Sequence, residues 1–194
     1  MNEYQQLLPE FIASFEKLDD MVIFDDTDAA LSGLLTGQVD EYGRKIWRPL
    51  KEETPRESLS ELYQQLPARF PKMYERLVLS YRWAEVEIGP CKLLANPPGP
   101  DLTGLLPRIQ RNPALWEALV PAGYLQFAKG PDIDYDPVCF DLKSRNKNGN
   151  YRLVKIDHEE ILCNYRVTVV GEIASSFEEL MRETIRLGKE SSGK

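Results

Sequence analysis

The feature that most constrains this chain is a change of hydrophobic period at Gly123. Before it, apolar residues mostly recur at helical spacing. Tyr4, Leu7, Leu8, Phe11, Ile12 and Phe15 follow the i, i+3, i+4, i+7 rule, and Leu18 closes the stripe. After it the period becomes two, over Tyr124–Lys129, Val138–Lys143, Tyr151–Asp157 and Tyr165–Val170, with Asn148-Gly149 as a hairpin signal between the second and third runs. A last helical stripe runs through Phe177, Leu180, Met181 and Ile185, opened by Ser175 and Ser176 with Glu178 and Glu179 as capping boxes and ended by Gly188. Helices, then a run of strands, then one closing helix define an α+β fold. The expected architecture is a mainly antiparallel sheet of about four to six strands with helices packed on it.

The helical part has its own punctuation. Ala29–Leu35 reads as a short helix ended by Gly37, and Tyr42–Leu50 as an extended segment around Ile46 and Trp47. Thr54-Pro55-Arg56-Glu57 reads as a helix start with Thr54 as cap, ahead of Leu59, Leu62, Tyr63 and Leu66. A further helix from Pro71 is expected to bury Met73, Leu77, Val78 and Tyr81, before a strand pattern over 84–94. Asn96-Pro97-Pro98-Gly99-Pro100 is a loop, and Asn112-Pro113 opens a helix carrying Leu115, Trp116 and Leu119.

Charge is unevenly placed. The 194 residues carry 24 Lys+Arg against 31 Asp+Glu, a net −7. Residues 1–60 hold 6 basic and 13 acidic side chains, whereas 61–194 hold 18 of each. An acidic chain is a poor match to duplex nucleic acid as primary partner. No run approaches ~18 consecutive apolar residues, so no membrane span is expected. Met1-Asn2-Glu3-Tyr4 lacks the pattern of a secretory signal. The three cysteines, Cys91, Cys139 and Cys163, form no C-x-x-C pair and read as buried free thiols of a cytoplasmic protein. One domain over 1–194 is expected, with a flexible tail at 188–194.

Candidate chemistry is sparse. Asp132, Asp134 and Asp136 spell D-x-D-x-D, but a calcium loop needs Gly and Glu where this chain has Pro137 and Lys143. Pro131-Asp132 with Asp141-Leu142-Lys143 spells a nuclease-like pattern, in which Asp132 and Asp141 would hold a divalent metal and Lys143 would help activate water. His158 is the only histidine, and no G-x-S-x-G elbow accompanies it. It reads as a structural residue at a strand end. Lys143, Arg145, Lys147, Arg152 and Lys155 make a basic hairpin that stays soluble and resists edge pairing, or meets an acidic partner or an RNA backbone. No cofactor or metal is expected.

Several segments together carry a family resemblance. These are Gly123-Tyr124-Leu125-Gln126-Phe127, Tyr135–Asp141, Val154–Glu159 and Ile173–Leu180, with Leu66-Pro67, Glu85–Ile88 and Leu93–Asn96 upstream. In order and spacing they resemble the SUKH superfamily, Knr/Smi-like branch, over about residues 56–182. The resemblance implies an α+β domain without catalytic residues. It implies a protein-binding role, either as an immunity protein that neutralises a toxin, often a nuclease domain, or as a housekeeping scaffold. It makes Phe127, Cys139 and Phe140 strand interior, Asp136 a bend, and Ser176 a helix cap ahead of Phe177; Asp141 and Asp157 fall in its motifs too. Residues 1–55 lie outside it as an acidic extension. Asp25, Asp26 and Asp28, with Asp132 and Asp134, are the expected partner-binding residues, meeting a basic partner through charge complementarity.

Overall fold

The computed structural model describes residues 3–23 and 28–191, with side chains from residue 6 onward. The chain opens with α1 (Glu3–Ala13) and α2 (Phe15–Leu18), broken at Ser14, whose hydroxyl donates to the Glu10 carbonyl at 2.9 Å. β1 (Val22–Ile23), a 3-10 turn over Ala29–Leu34, β2 (Leu35–Val39) and β3 (Lys45–Trp47) follow and form a small antiparallel sheet in the order β1-β3-β2. Gly37 therefore ends no helix. It sits inside β2 at φ +80, at an irregularity in the pairing with β3.

Next come β4 (Leu50–Lys51), α3 (Ser58–Tyr63), α4 (Lys72–Ser80) and β5 (Tyr81–Arg82), with β4 and β5 paired antiparallel. Two expectations fail here. Tyr81 begins a strand instead of closing the helix stripe. Thr54 caps nothing: its hydroxyl accepts from the guanidinium of Arg82, which is fully buried and has Glu52 at 3.1 Å. A buried cation recruits every nearby oxygen, and this demand outweighs a local cap.

β6 (Val86–Glu87), β7 (Lys92–Leu93), α5 (Leu106–Ile109), α6 (Pro113–Leu119), β8 (Tyr124–Lys129), β9 (Pro137–Asp141), β10 (Arg152–Ile156), α7 (His158–Asn164), β11 (Val169–Ala174) and α8 (Phe177–Ser191) complete the chain. Six strands form one antiparallel meander in the order β11-β10-β9-β8-β7-β6. The fold is α+β with a closing C-terminal helix. The expected strand over Tyr165–Val170 is displaced, because α7 occupies 158–164 and the strand proper starts at Val169. Asn148-Gly149 does turn the chain between β9 and β10, with Gly149 at φ +79, although a 3-10 turn over Leu142–Ser144 lengthens the connection.

The sheet is covered on both faces, so every residue of β9 is buried. Leu125, Phe127, Phe140 and Leu153 face the main core, and Tyr124, Cys139, Val154 and Ile156 face a smaller one beneath α6 and α7. In the main core Phe177 of α8 and Tyr74 of α4 meet edge-on at 5.0 Å between ring centroids, and Phe127 stacks on Phe140 at 4.3 Å. Such pairs contribute about 0.5–1.5 kcal/mol beyond the area they bury.

The N-terminal third belongs to this same core. Leu7, Phe11, Phe15, Met21, Leu34 and Trp47 are buried in one cluster with Leu77, Phe127 and Phe177. Phe11 lies 6.1 Å from Phe177, edge to face. α8 continues through Gly188 to Ser191 instead of stopping, and Gly188 is where Ser14 crosses it: a Cβ there would lie 3.1 Å from the Ser14 Cβ. Smallness, not chain termination, is the role of that glycine. The acids of this third act as stitches. Asp19 Oδ2 accepts from the Glu87 amide at 2.8 Å, Asp28 meets Arg108 at 2.6 Å, and Glu10 meets Lys189 at 3.3 Å.

Candidate functional site

The loop between β8 and β9 is shaped by its own carboxylates. Asp134 accepts from the Asp136 amide at 2.9 Å and from Lys155 Nζ at 2.9 Å. It folds so tightly over Gly130 that a Cβ there would overlap its carboxylate. Asp136 Oδ1 accepts the His158 amide at 2.9 Å, and the ring Nδ1 of His158 lies 2.7 Å from the same oxygen. Burial works against the charge on Asp136, but the His158 contacts and Lys155 outweigh it and hold its pKa below the usual aspartate value. Hydrogen bonding to Asp134 pushes Lys155 upward.

The two aspartates are thus spent on holding the loop to β10 and to the start of α7. The residues alternating with them are the ones displayed. Ile133 is 85% and Tyr135 62% exposed. Asp132 stands in left-handed conformation at φ +51, its amide donating to Glu87 at 2.9 Å. Among the described residues no group of three or more His, Cys, Asp or Glu is placed to hold a metal ion.

The nuclease-like triplet is not assembled. Asp132 precedes β9 and Asp141 ends it, so they are separated by a five-residue strand that spans ~13 Å at ~3.3 Å per residue. Asp141 is buried, accepts from the Lys143 amide at 3.2 Å and pairs with Arg152 at 2.8 Å. Lys143 Nζ points to the Tyr124 hydroxyl at 3.2 Å and lies over that ring. Of the acids expected to meet a partner, Asp28 is engaged with Arg108, Asp134 with Lys155, and Asp25 and Asp26 lie outside the described residues.

The residues quoted for the resemblance fall in core and cap positions, except Asp136, implied as a bend, which lies in backbone without one just before β9. Phe127, Cys139 and Phe140 are fully buried in strands, and Phe177 is buried at the start of α8. Asp157 caps α7, accepting the Glu160 amide at 3.0 Å, and Ser176 caps α8, accepting the Glu179 amide at 3.2 Å. Burial pushes the Cys91 thiol up to about 12 and raises Cys139 as well, so neither is a ready nucleophile.

What sequence reasoning missed is the surface around α7. Of the nine large apolar side chains that are exposed among the described residues, six fall within 133–170. Leu162 lies on α7, and Tyr165 follows it in left-handed conformation at φ +51 with 93% of its surface exposed. Val169 and Val170 sit on β11, which among the described residues pairs with β10 alone and so forms one edge of the six-stranded sheet. The cap Asp157 with Glu160 three residues on was the sequence signal for α7.

Comparison of the chain with protein-family models, with curated proteins and with solved structures gives no match in any of the three.

Proposed function

We propose that this chain is a non-enzymatic protein-binding domain of SUKH type, acting in the cytoplasm as an immunity protein that occludes a toxin. The observation that supports binding is the β11 edge. An unpaired edge strand carrying exposed Val169 and Val170, next to Tyr165 and Leu162, is a surface that soluble proteins ordinarily blunt with charge, Pro or a covering segment. Strand addition to such an edge is a common mode of peptide and protein capture. Tyr165 strengthens the reading. A non-glycine residue held at φ +51 costs of order 1 kcal/mol, and here it leaves an aromatic ring almost wholly in solvent. Aromatic side chains of this kind are over-represented among binding hot spots.

The contact surface proposed is therefore β11 with the end of α7, not the acidic N-terminal third. The test is pull-down of toxin domains encoded beside this gene, with Val170→Lys and Tyr165→Gly as variants. Binding that both variants weaken supports the proposal. A partner bound equally well by both places the interface elsewhere, and a gene neighbourhood without a toxin leaves a housekeeping scaffold.

A further inference from the structure

Two adjoining hollows lie beside the sheet, one of about 500 Å³ next to α6 and α7 and one of about 680 Å³ between α5, β1 and the 3-10 turn after it. They share Glu85, Arg108 and Arg111, so they adjoin as one elongated trough. Its charged lining is distinctive for a chain of net −7. Arg108, Arg111, Lys129 and Lys92 bring four cations to the lining; among the described residues Arg108 is paired with Asp28 at 2.6 Å and Lys92 with Glu87 at 3.2 Å, which leaves Arg111 and Lys129 to Glu85. Glu85 serves two of the cations at once, Lys129 at 2.7 Å and Arg111 at 3.2 Å. Arg111 keeps 71% of its side chain in solvent while doing so. Leu94, Leu115, Leu162 and Tyr135 line the first hollow beside these charges.

We infer that this trough binds an extended acidic segment of a polypeptide partner, whose carboxylates replace Glu85 as ligands of Arg111 and Lys129. Shape selects an extended chain, since the two hollows run into each other across Arg108 and Arg111. Charge selects carboxylates, since the cations lie in a concave, partly apolar setting where their attraction is screened less than on an open surface. Glu85 then acts as a built-in competitor, holding the two cations in place until the segment arrives. The inference rests on the protein-binding reading only in taking the partner to be a polypeptide. The two surfaces share Leu162 but not the residues varied in their tests, so the two fail separately.

The probe is a fluorescein-labelled oligoglutamate of about ten residues, long enough when extended to span ~33 Å. Its fluorescence anisotropy is followed against the full chain, beside an oligolysine and an oligouridylate of equal length. Saturable binding of oligoglutamate alone, weakened by raised salt, is the expected result. Arg111→Glu lowers the affinity at least about tenfold, whereas Glu85→Gln raises it about threefold by removing the competitor. Because Arg111 is exposed, Arg111→Gln serves as a gentler second variant, and thermal melts establish that each variant is folded. Arg145→Ala with Lys147→Ala, on the basic hairpin, leaves binding unchanged. Tighter binding of oligouridylate, equal loss in the hairpin variant, or no response to Glu85→Gln would overturn the inference. A toxin domain captured through β11 by a chain that ignores oligoglutamate would sink this proposal and leave the other standing.

Discussion

Arg82 and Asn96 donate to the same two carbonyl oxygens. Arg82 Nη1 reaches Val78 O at 2.7 Å and Tyr81 O at 3.1 Å, and Asn96 Nδ2 reaches them at 3.1 and 2.8 Å. Both side chains are almost completely buried. They close the exit of α4, where helix carbonyls lose their intrahelical partners, and they tie it to the Trp83–Asn96 bridge. The loop Asn96–Pro100 begins on a structural polar residue, not on a solvated turn.

Because each carbonyl has two donors, the two side chains are partly redundant. Asn96→Ala is expected to cost about 1–2 kcal/mol, since Arg82 still serves both oxygens. Arg82→Ala costs more, about 3–5 kcal/mol, because it also takes the cation from Glu52 and the donor from Thr54. The double variant exceeds the sum by about 1 kcal/mol, since only then are both oxygens orphaned. Urea unfolding of the four proteins measures the cycle.

Phe177 is the aromatic that joins α8 to both the sheet and α1. It meets Phe11, Tyr74, Phe127 and Phe140 edge-on. Phe177→Ala is expected to cost about 3–5 kcal/mol, and Phe11→Ala to show the same order of loss. If residues 1–55 were only an appended segment, Phe11→Ala would leave the urea midpoint of the sheet unchanged.

Asp136 makes stability depend on acid. Its pKa is lowered from the ordinary 3.8, so the folded state binds its proton less readily than the unfolded state does. The contribution is full above 3.8 and disappears as pH falls through the lower folded value. Asp136→Asn is expected to cost about 1–3 kcal/mol at neutral pH, where the lost bonds are charge-assisted. Its deficit relative to the parent shrinks in the acid range. Melting temperature against pH for the two proteins tests this, and parallel curves would refute it.

Thiol accessibility separates the three cysteines. Cys91 and Cys139 are buried, whereas Cys163, expected to be buried like them, is exposed at the end of α7. A thiol-reactive chromophore is expected to label one site per native molecule and three in urea, with Cys163→Ser removing the native reaction.

The site around α7 yields a stability–binding trade. Tyr165→Gly relieves the left-handed strain and is expected to stabilise the fold by up to about 1 kcal/mol. The same change weakens partner binding. A variant that gains stability and loses affinity separates the two roles of this residue.

Much of the architecture was legible where periodicity was long. α1, α8, β8 and β10 follow from apolar spacing, and Asn112 caps α6 as its sequence position suggests, accepting from Ala114 and Leu115. What was not legible had competing local causes. Thr54 reads as a cap until a buried Arg82 arrives from 28 residues away. Gly188 reads as a stop until Ser14 is found against it. α7 is only seven residues long, and its Ile161 carries most of the burial, so no stripe announces it. For the binding surface, sequence drew attention to the charged members of Asp132–Asp136, whereas the fold turns Asp134 and Asp136 inward and leaves Ile133 and Tyr135 to solvent. Charge seen in sequence marks where ions are, not whether they are already spoken for.

The two margins of the six-stranded sheet are unequal, and this limits what the molecule can assemble into. At β6 the Glu87 amide is already occupied by the Asp19 carboxylate, while among the described residues β11 has no neighbouring strand on its outer side. A sheet that could grow from both margins would propagate head to tail into open filaments. With one margin stopped, addition ends after a single event. A complex made by pairing of this sheet is therefore closed: one guest per molecule at β11, or two copies related by a two-fold axis.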